Sequence, residues 1–360
     1  MNQIQNHGEN RSGRPAILPV FLPHSGCKER CLFCNQKATG GKTVAPSSLP
    51  RSIESFLAEL SPERRLGEKQ VAFYGGTFTA MDQEEQLQYL RAVRPFLASQ
   101  QINSIRISTR PDAISAESIE TLKAFGVQTV ELGAQTMNDE ILSLCQRGHS
   151  AEDTDSAVVR LRRAGLHVGL HLMIGLPGDT LDRFLRSLEQ VIALRPNFVR
   201  IHPTLVLRGA PLEASWGNGN YRPLSLDEAI AWLKKGVLRL ERAGIAVARL
   251  GLQPTEELNR HILAGPYHPA LRQLVDSSIM LAMARALLVD GMDDGVVSFI
   301  CHPREVSNLR GQGNRNVQEL KKCFGLCEIG IVGQEAVPPG RIALRTRSGE
   351  RSIQRKDLPV

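Results

Sequence analysis

Residues 16–34 read Ala-Ile-Leu-Pro-Val-Phe-Leu-Pro-His-Ser-Gly-Cys-Lys-Glu-Arg-Cys-Leu-Phe-Cys. The apolar start of this stretch predicts a β-strand, and three cysteines follow in the next loop. Similar apolar runs recur downstream and alternate with amphipathic helical patterns. The predicted strands are 16–22, 71–74, 104–108, 127–132, 167–174, 198–206 and 245–250, and the predicted helices are 47–60, 82–98, 115–125, 150–164, 180–194 and 226–243. This alternation predicts an α/β protein with parallel strands and crossover helices.

Six or seven strand-helix units are too few for an eightfold barrel. We therefore expect a partial (β/α)6-type TIM barrel over residues 16–255, with ligands at the carboxyl ends of its strands. Residues 256–292 are predicted to form a helical linker, and residues 293–360 a small α+β domain. Residues 1–15 are polar and are expected to be a disordered tail.

Composition narrows the class of protein. The chain has 360 residues, of which 42% are hydrophobic, so a disordered protein is excluded. No apolar run reaches the roughly 18–20 residues that a membrane span needs, and no signal peptide precedes the first strand. Seven cysteines, three of them clustered, do not suit a disulfide framework and indicate metal ligation in a reducing compartment. We expect a cytoplasmic protein that does not enter a membrane.

The cysteine loop has the spacing Cys27-x3-Cys31-x2-Cys34. Three thiolates supply three of the four ligands of a cubane 4Fe-4S cluster, which leaves one iron open. S-adenosylmethionine (SAM) can chelate that iron through its amino and carboxylate groups, and one electron then splits it to release a deoxyadenosyl radical. The alternative is a zinc site formed by the same cysteines with His24.

Several other stretches carry a resemblance to a known family. They are Tyr74-Gly75-Gly76-Thr77-Phe78, Thr109-Arg110-Pro111-Asp112, Val130-Glu131-Leu132-Gly133-Ala134-Gln135, Arg147-Gly148-His149, His171-Leu172-Met173-Ile174-Gly175-Leu176-Pro177-Gly178 and Pro203-Thr204-Leu205-Val206, with Trp216, Gly219 and Tyr221 further on. With the cysteine loop, they resemble the radical SAM superfamily, and within it the Elongator catalytic-subunit branch of tRNA wobble-uridine modifying enzymes. The resemblance covers about residues 16–255.

The resemblance implies a set of cofactor contacts. The resemblance implies that the turn with Gly75, Gly76 and Thr77 holds the SAM amino group. It also implies that the segment from Gly175 to Pro177 contacts the adenine. Phe33, just before the last cysteine, is placed to pack on that adenine. Ser108 and Arg110 end the third strand, where related enzymes hold the ribose or carboxylate. The branch usually has a carboxylate at the position of Ser108. For Arg110, a fold-internal ion pair with Asp112 or Glu131 is an equal alternative to a cofactor contact.

Four polar residues lie on or beside apolar strands: Glu131, Gln135, Arg147 and His171. Because burying them without partners costs on the order of 1–3 kcal/mol each, we expect them to line the cofactor cavity. For His171, a hydrogen-bonded core histidine is an equal alternative. His202 occupies a position where the branch more often has tyrosine, so an identical final reaction step is not implied.

The C-terminal part of the chain has features that suggest RNA binding. About a hundred residues follow the core, which we expect to be too few for the acetyltransferase domain of Elongator-type enzymes. Residues 301–360 contain 11 Lys and Arg against 6 Asp and Glu. Their segment with Arg310, Gly311, Gly313 and Arg315 resembles the turn of a KH RNA-binding module. A purely structural glycine turn is the alternative.

A second metal site is a further possibility in this part of the chain. Cys301, Cys323 and Cys327, with His302, are candidate ligands, although small core residues are the commoner use of such cysteines.

These patterns together predict a radical SAM enzyme that acts on a tRNA or other RNA base and receives electrons from a reductant such as flavodoxin or ferredoxin. Three alternatives remain. The first is a radical SAM enzyme with a small-molecule substrate, as in coproporphyrinogen oxidases. The second is a zinc-containing RNA-binding protein without catalysis. The third is a family member that binds the cluster without turnover.

Overall fold

The computed structural model describes residues 15–28, 30–40, 43–288, 295–347 and 349–359. Of the expected disordered tail, residues 1–14 lie outside the described residues, as do residues 289–294 around the end of the expected linker. The described residues form two compact units. The first lies within Met1–Arg30, Gln36–Ala134 and Gly148–Gly169, and the second lies within Cys31–Asn35, Gln135–Arg147 and Leu170–Val360.

Strands and helices alternate along most of the chain. The strands are β1 (Ala16–Phe21), β2 (Lys69–Tyr74), β3 (Ser104–Thr109), β4 (Val127–Gln135), β5 (His167–Ile174), β6 (Phe198–Pro203), β7 (Val206–Leu207), β8 (Ala246–Leu250), β9 (Ile262–Ala264), β10 (Val296–Cys301), β11 (Glu328–Gly333), β12 (Arg341–Thr346) and β13 (Gly349–Gln354). The helices are α1 (Gln36–Gly40), α2 (Leu49–Glu59), α3 (Pro62–Leu66), α4 (Gln83–Ala98), α5 (Ala116–Ala124), α6 (Asp139–Leu144), α7 (Ala151–Arg163), α8 (Leu181–Leu194), α9 (Leu212–Gly217), α10 (Leu226–Arg242), α11 (Glu256–His261), α12 (Leu271–Leu287), α13 (Val306–Arg310) and α14 (Arg315–Phe324).

The main sheet has seven strands in the order β1-β2-β3-β4-β5-β6-β8. Its neighbours β1 and β2, β2 and β3, β3 and β4, and β6 and β8 are parallel. The apolar side chains of these strands, such as Ile105, Ile107, Leu172 and Ile201, are almost completely buried. The strand order and direction confirm the predicted partial TIM barrel.

Helix ends in the first unit have local causes. The side chain of Ser115 accepts a hydrogen bond from the Ser118 N–H, and the Ser115 N–H donates to Ser118 Oγ. This reciprocal pair is a capping box that starts α5. Gly126 follows the end of the helix with φ +80°, a left-handed angle that favours glycine.

The second unit contains a smaller sheet of four strands in the order β11-β10-β12-β13. Strand β10 is parallel to β11 and antiparallel to β12. We did not predict β13, whose residues Gly-Glu-Arg-Ser-Ile-Gln contain one apolar side chain. The expected helical stretch before this sheet is two helices, α11 and α12, with the short strand β9 between them. In the described residues, no helix combines the length and the hydropathy required to traverse a lipid bilayer.

Candidate active site

In the first unit, Gln36 joins the loop after β1 to the turn after β2. Its Oε1 accepts hydrogen bonds from the backbone N–H of His24 at 2.6 Å and from that of Gly76 at 2.7 Å. The Gln36 N–H in turn donates to His24 Nε2 at 3.2 Å. Burial, together with Arg30 and Lys37, lowers the pKa of His24. Gln36 was missed at the sequence level, since no motif marks it.

Cys27 lies in the loop that Gln36 holds. The sulfur of Cys27 is 3.4 Å from Thr77 Oγ1, and its backbone N–H donates to the His24 carbonyl at 3.1 Å. Thr77 is fully buried, and its N–H donates to the Ser25 carbonyl at 2.7 Å. The turn predicted to contact SAM therefore also positions the first cysteine.

Two glycines are required by the close approach of this loop and turn. A Cβ on Gly76, which has φ +59°, would lie 2.2 Å from the Ser25 carbonyl oxygen. A Cβ on Gly26, at φ +71°, would lie 2.3 Å from the Thr77 carbonyl oxygen. Real Cβ atoms do not approach backbone oxygen this closely, so the chain's own packing already demands glycine at both positions.

Polar side chains of β2, β3 and β4 form a buried network. Arg106 Nη1 donates to Glu131 Oε1 at 2.9 Å, and both side chains are at most 10% exposed. Arg106 also donates to Gln70 Oε1, and the Tyr74 hydroxyl donates to Glu131 Oε1 at 3.3 Å. Glu131, predicted to line the cofactor cavity, therefore neutralises an arginine. Sequence reasoning missed Arg106, although a lone arginine between two isoleucines signals a paired charge.

The two residues predicted at the end of β3 differ in their surroundings. Ser108 is partly buried and lies opposite Glu131 in the β3 and β4 register. Arg110 forms a bidentate pair with Asp112, with its Nε 3.0 Å from Oδ1 and its Nη2 2.7 Å from Oδ2. Of the two pairings that the sequence left open for Arg110, the one with Asp112 is formed.

In the second unit, Arg147 contacts the second cysteine. Arg147 Nη1 donates to the buried sulfur of Cys31 at 3.1 Å. The Cys34 N–H donates to the Cys31 carbonyl at 3.0 Å. Arg147 thus places a positive charge beside the sulfur of Cys31, which would stabilise its anionic thiolate form.

Phe33 packs against apolar side chains of this unit. Its neighbours belong to two clusters, one around Ile141, Cys145 and Leu176 and the other around Val206, Leu212 and Tyr221. The Leu32 N–H donates to the Cys145 carbonyl, which fixes the loop beside the end of α6. Phe33 therefore anchors the cysteine loop in the core of the unit.

The segment after β5 is held from two sides. The Tyr221 hydroxyl donates to the Gly175 carbonyl at 2.6 Å, and the Gly175 N–H donates to Asp179 Oδ2 at 3.0 Å. Burial raises the pKa of Asp179 to about 6, although the Gly175 and Thr180 N–H groups donate to its carboxylate and act to lower it. Gly175 has φ +71°, and a Cβ there would lie 2.8 Å from Leu224. Pro177 is partly buried in the same turn.

Gln135, at the end of β4, has an unsatisfied atom. Its Oε1 is buried and accepts no hydrogen bond from any described residue. Its φ is +68°, a left-handed angle that is costly for a residue other than glycine. A buried carbonyl without a donor costs about 1–3 kcal/mol, so this position is suited to a ligand or water that donates a hydrogen bond.

His171 on β5 and His202 on β6 form a buried pair. Desolvation, with Arg200 and Arg147 nearby, lowers the pKa of His171 to about 3. Desolvation, His171 and two arginines lower that of His202 well below its ordinary value. Both imidazoles are therefore neutral near pH 7. His202 Nε2 is buried and has no hydrogen-bond partner in the described parts of the chain.

Sequence comparison assigns the family. A profile of the radical SAM superfamily matches residues 21–191, and a profile of the radical SAM C-terminal domain matches residues 196–280. This chain belongs to the radical SAM superfamily. The membership confirms the predicted enzyme class, and the predicted 4Fe-4S cluster and SAM are the cofactors that this family uses.

Some relatives of this radical SAM protein are named as tRNA-modifying enzymes, and others as coproporphyrinogen oxidase-like proteins. A tRNA uridine(34) acetyltransferase from Methanocaldococcus infernus is 30% identical over 254 residues, which cover 60% of this chain and 48% of the relative. The oxygen-independent coproporphyrinogen-III oxidase-like protein HemZ from Bacillus subtilis is 27% identical over 238 residues, covering 61% and 46%. The radical SAM protein thus spans about half the length of the curated relatives it matches.

One solved structure extends the likeness to the fold. The structure of archaeal Methanocaldococcus infernus Elp3 superposes with a TM-score of 0.59 at 25% identity, covering 74% of the radical SAM protein and 63% of Elp3. This agrees with the predicted resemblance to the Elongator branch.

Three cysteines in one loop of the radical SAM protein are the thiolate donors that a 4Fe-4S cluster takes. Among the described residues, no three His, Cys, Asp or Glu side chains are grouped to hold a single metal ion. His24, the fourth ligand of the zinc alternative, already accepts a hydrogen bond from Gln36. Cys301 is buried whereas Cys323 and Cys327 are exposed, and they form no such group either.

Proposed function

We propose that Cys27, Cys31 and Cys34 hold a 4Fe-4S cluster and that the protein cleaves SAM. The observation that carries the proposal is that the family match begins at residue 21 and includes all three cysteines. When bound, the reduced cluster supplies one electron that cleaves SAM to methionine and a deoxyadenosyl radical. The contact of Arg147 with Cys31 supports the assignment, because it balances the charge of a thiolate ligand.

We further propose that SAM is held by polar groups already predicted from the sequence, among them the turn Gly75-Gly76-Thr77 and the side chain of Gln135. The backbone of the turn Gly75-Gly76-Thr77 is ordered by Gln36 before any cofactor arrives. Gln135 Oε1 is a buried acceptor to which no described residue donates, and the SAM amino and ribose hydroxyl groups are donors. Pre-ordered polar groups of this kind orient a cofactor without a large entropy cost on binding.

The proposed substrate is a base of tRNA or another RNA. The name of the Methanocaldococcus infernus relative supports a tRNA uridine, and the excess of Lys and Arg after residue 300 supports a polyanionic partner. The acetyltransferase part of that name is not carried over, since the match covers 48% of the relative. A flavodoxin or ferredoxin in a reducing cytoplasm is the proposed electron source.

A small-molecule substrate is the second candidate, and the match to HemZ favours it. The two candidates differ in whether deletion of the gene changes the modified nucleosides of tRNA. Loss of one modified nucleoside from digested tRNA, restored by the wild-type gene, supports the RNA substrate. An unchanged nucleoside profile contradicts it and favours the small molecule.

The cluster assignment is tested by anaerobic reconstitution with iron and sulfide. We expect cluster absorbance and, with a strong reductant, release of deoxyadenosine and methionine from SAM. Changing Cys27, Cys31 and Cys34 together to alanine should abolish both. Cys323→Ala is the matched control, because Cys323 is an exposed thiol outside the loop. Bound zinc without iron, or an undiminished cluster in the triple variant, would refute the assignment.

A further inference from the structure

His202 lies at the end of the sheet where barrels of this kind bind their ligands. It is the last residue but one of β6, close to the carboxyl end of that strand. Val199 and Ile201 on the same strand are fully buried, whereas His202 is only partly buried. Because side chains alternate along a strand, His202 faces the opposite side of the sheet from these two.

The two nitrogens of the His202 ring differ in their contacts. Nδ1 lies 2.9 Å from Nε2 of His171 on β5. Nε2 is buried, and no residue in the described ranges forms a hydrogen bond with it. Because a buried polar atom without a partner costs about 1–3 kcal/mol, this position is suited to a bound group that pairs with Nε2.

A second unsatisfied atom lies near the same strand end. The Tyr267 hydroxyl is buried and has no hydrogen-bond partner within the part of the chain that the structure describes. Tyr267 packs against a cluster that contains Leu205, two residues beyond β6. A Cβ on Gly265, which has φ +113°, would lie 3.0 Å from the Thr204 carbonyl oxygen, so this loop packs closely on the strand end. Two such atoms near one strand end favour a polar ligand there.

The surroundings of the two histidine rings are positively charged. Burial, Arg200 and Arg147 lower the pKa of His171. Burial, the neighbouring His171, Arg200 and Arg249 lower the pKa of His202. A neutral imidazole in a positive field suits a ligand atom with partial negative charge, and it can polarise a carbonyl group by donating a hydrogen bond to it.

We infer that His202 Nε2–H donates a hydrogen bond to a carbonyl oxygen of the substrate base, which makes His202 a specificity-determining residue. His171 is its positioning residue. In a neutral imidazole one nitrogen donates and the other accepts. When His202 carries its hydrogen on Nε2, its Nδ1 must therefore accept from His171 Nε2–H, and the pair fixes the direction of donation.

The inference rests on the proposed RNA substrate and names a contact that recognises its base. This contact is separate from the residues predicted for RNA binding. Those residues lie at the junction of α13 and α14 and are Arg310, Gly311, Gly313 and Arg315.

The first test reads the ring tautomers of the full chain by long-range ¹H–¹⁵N NMR after labelling of histidine with ¹⁵N. With uridine bound, we expect both rings to carry hydrogen on Nε2 and the His202 Nε2–H signal to be displaced. Adenosine is the matched control, because its base has no carbonyl group and should displace nothing. His171→Leu removes the partner of Nδ1 and should leave His202 with a mixture of tautomers.

The second test compares two variants with unmodified tRNA from cells that lack the gene. His202→Gln places an amide nitrogen near the position of Nε2, whereas His202→Asn places one near Nδ1 and leaves the Nε2 position empty. His202→Asn should lower kcat/KM for tRNA about tenfold, mainly through KM, and His202→Gln should stay within about threefold of the wild type. His167→Asn is the control, because His167 is exposed at the start of β5.

The outcomes separate this inference from the proposed function. No displacement by uridine, an equal displacement by adenosine, or hydrogen on His202 Nδ1 with uridine bound overturns the inference. Equal kcat/KM of the Asn and Gln variants also overturns it. Acetate that displaces the signal as strongly as uridine overturns the base carbonyl in favour of a carboxylate. The NMR test requires no turnover, so failure of the wild type to cleave SAM counts against the proposed function alone.

Discussion

His171 Nε2 lies 2.9 Å from His202 Nδ1, and the two rings meet edge to face with centroids 4.2 Å apart. One imidazole must donate and the other accept, so the hydrogen bond is lost when both rings are doubly protonated and neither nitrogen can accept. His171 is therefore a hydrogen-bonded core histidine, as one of the two alternatives expected. Its partner His202 has a buried Nε2 that bonds to no residue within the described ranges.

This pair predicts a pH dependence of stability. The pKa of His171 is about 3 in the folded protein and 6.5 ordinarily, so the unfolded chain takes up a proton that the folded chain does not. The free energy of unfolding should therefore fall as pH drops below about 6.5, by up to about 1.4 kcal/mol per pH unit for each such histidine. Urea denaturation at several pH values measures this slope.

His171→Gln and His202→Gln should each flatten that slope. His167→Gln is the control, because His167 is exposed and should leave the slope unchanged. Equal slopes in the wild type and both variants would show that the pair is not neutral in the folded state.

The buried pair of Arg106 and Glu131 predicts a large effect of removing one charge. Arg106→Met removes the positive charge that balances the buried Glu131 carboxylate, which should lower the free energy of unfolding by about 3–5 kcal/mol. Arg106→Met combined with Glu131→Leu should recover much of this loss. Arg91→Ala breaks an exposed pair with Glu84 and should cost at most about 1 kcal/mol. A double variant no more stable than Arg106→Met would show that the uncompensated charge of Glu131 is not the cause of the loss.

The approach of Gly76 to Ser25 predicts that Gly76→Ala disturbs the cysteine loop. Gly165 also has positive φ, +81°, but a Cβ there would meet nothing within 4 Å. Gly165→Ala should cost about 1 kcal/mol from backbone strain alone, whereas Gly76→Ala should cost clearly more and lower the iron bound after reconstitution. Equal stability and iron content in the two variants would mean that the cysteine loop can move away from residue 76 without loss of stability or of bound iron.

The contact between Arg147 and Cys31 predicts a change in reduction potential. Reduction adds a negative charge to the proposed cluster, and Arg147 stabilises that charge through the ligand sulfur. Arg147→Ala should shift the potential of the reconstituted protein to more negative values, on the order of 50 mV, since 59 mV corresponds to a tenfold change for one electron. Anaerobic redox titration measures it. Arg186→Ala is the control, because Arg186 is an exposed arginine paired with Asp182 on α8. A shift to more positive values would contradict the assignment.

Much of the fold could be predicted from local patterns. The six helices predicted between residues 47 and 243 are present with ends shifted by at most two residues, because capping residues such as Ser115 and Gly126 mark those ends. Strands β7 and β9, of two and three residues, are too short for a periodic pattern. Strand β13 is polar, and its pairing with β12 stabilises it.

The partners of the polar residues could not be predicted in the same way. Arg106 and Glu131 are 25 positions apart, and Cys31 and Arg147 are 116 positions apart. The sequence alone determined the family, the order of strands and helices, and the spacing of the three cysteines, because each depends on neighbouring residues. Only the tertiary structure decided that Glu131 pairs with Arg106, that Arg147 contacts Cys31 and that His171 pairs with His202. Such contacts depend on which strands and helices pack together. The residues next to each partner in the sequence do not indicate which distant residue it will contact.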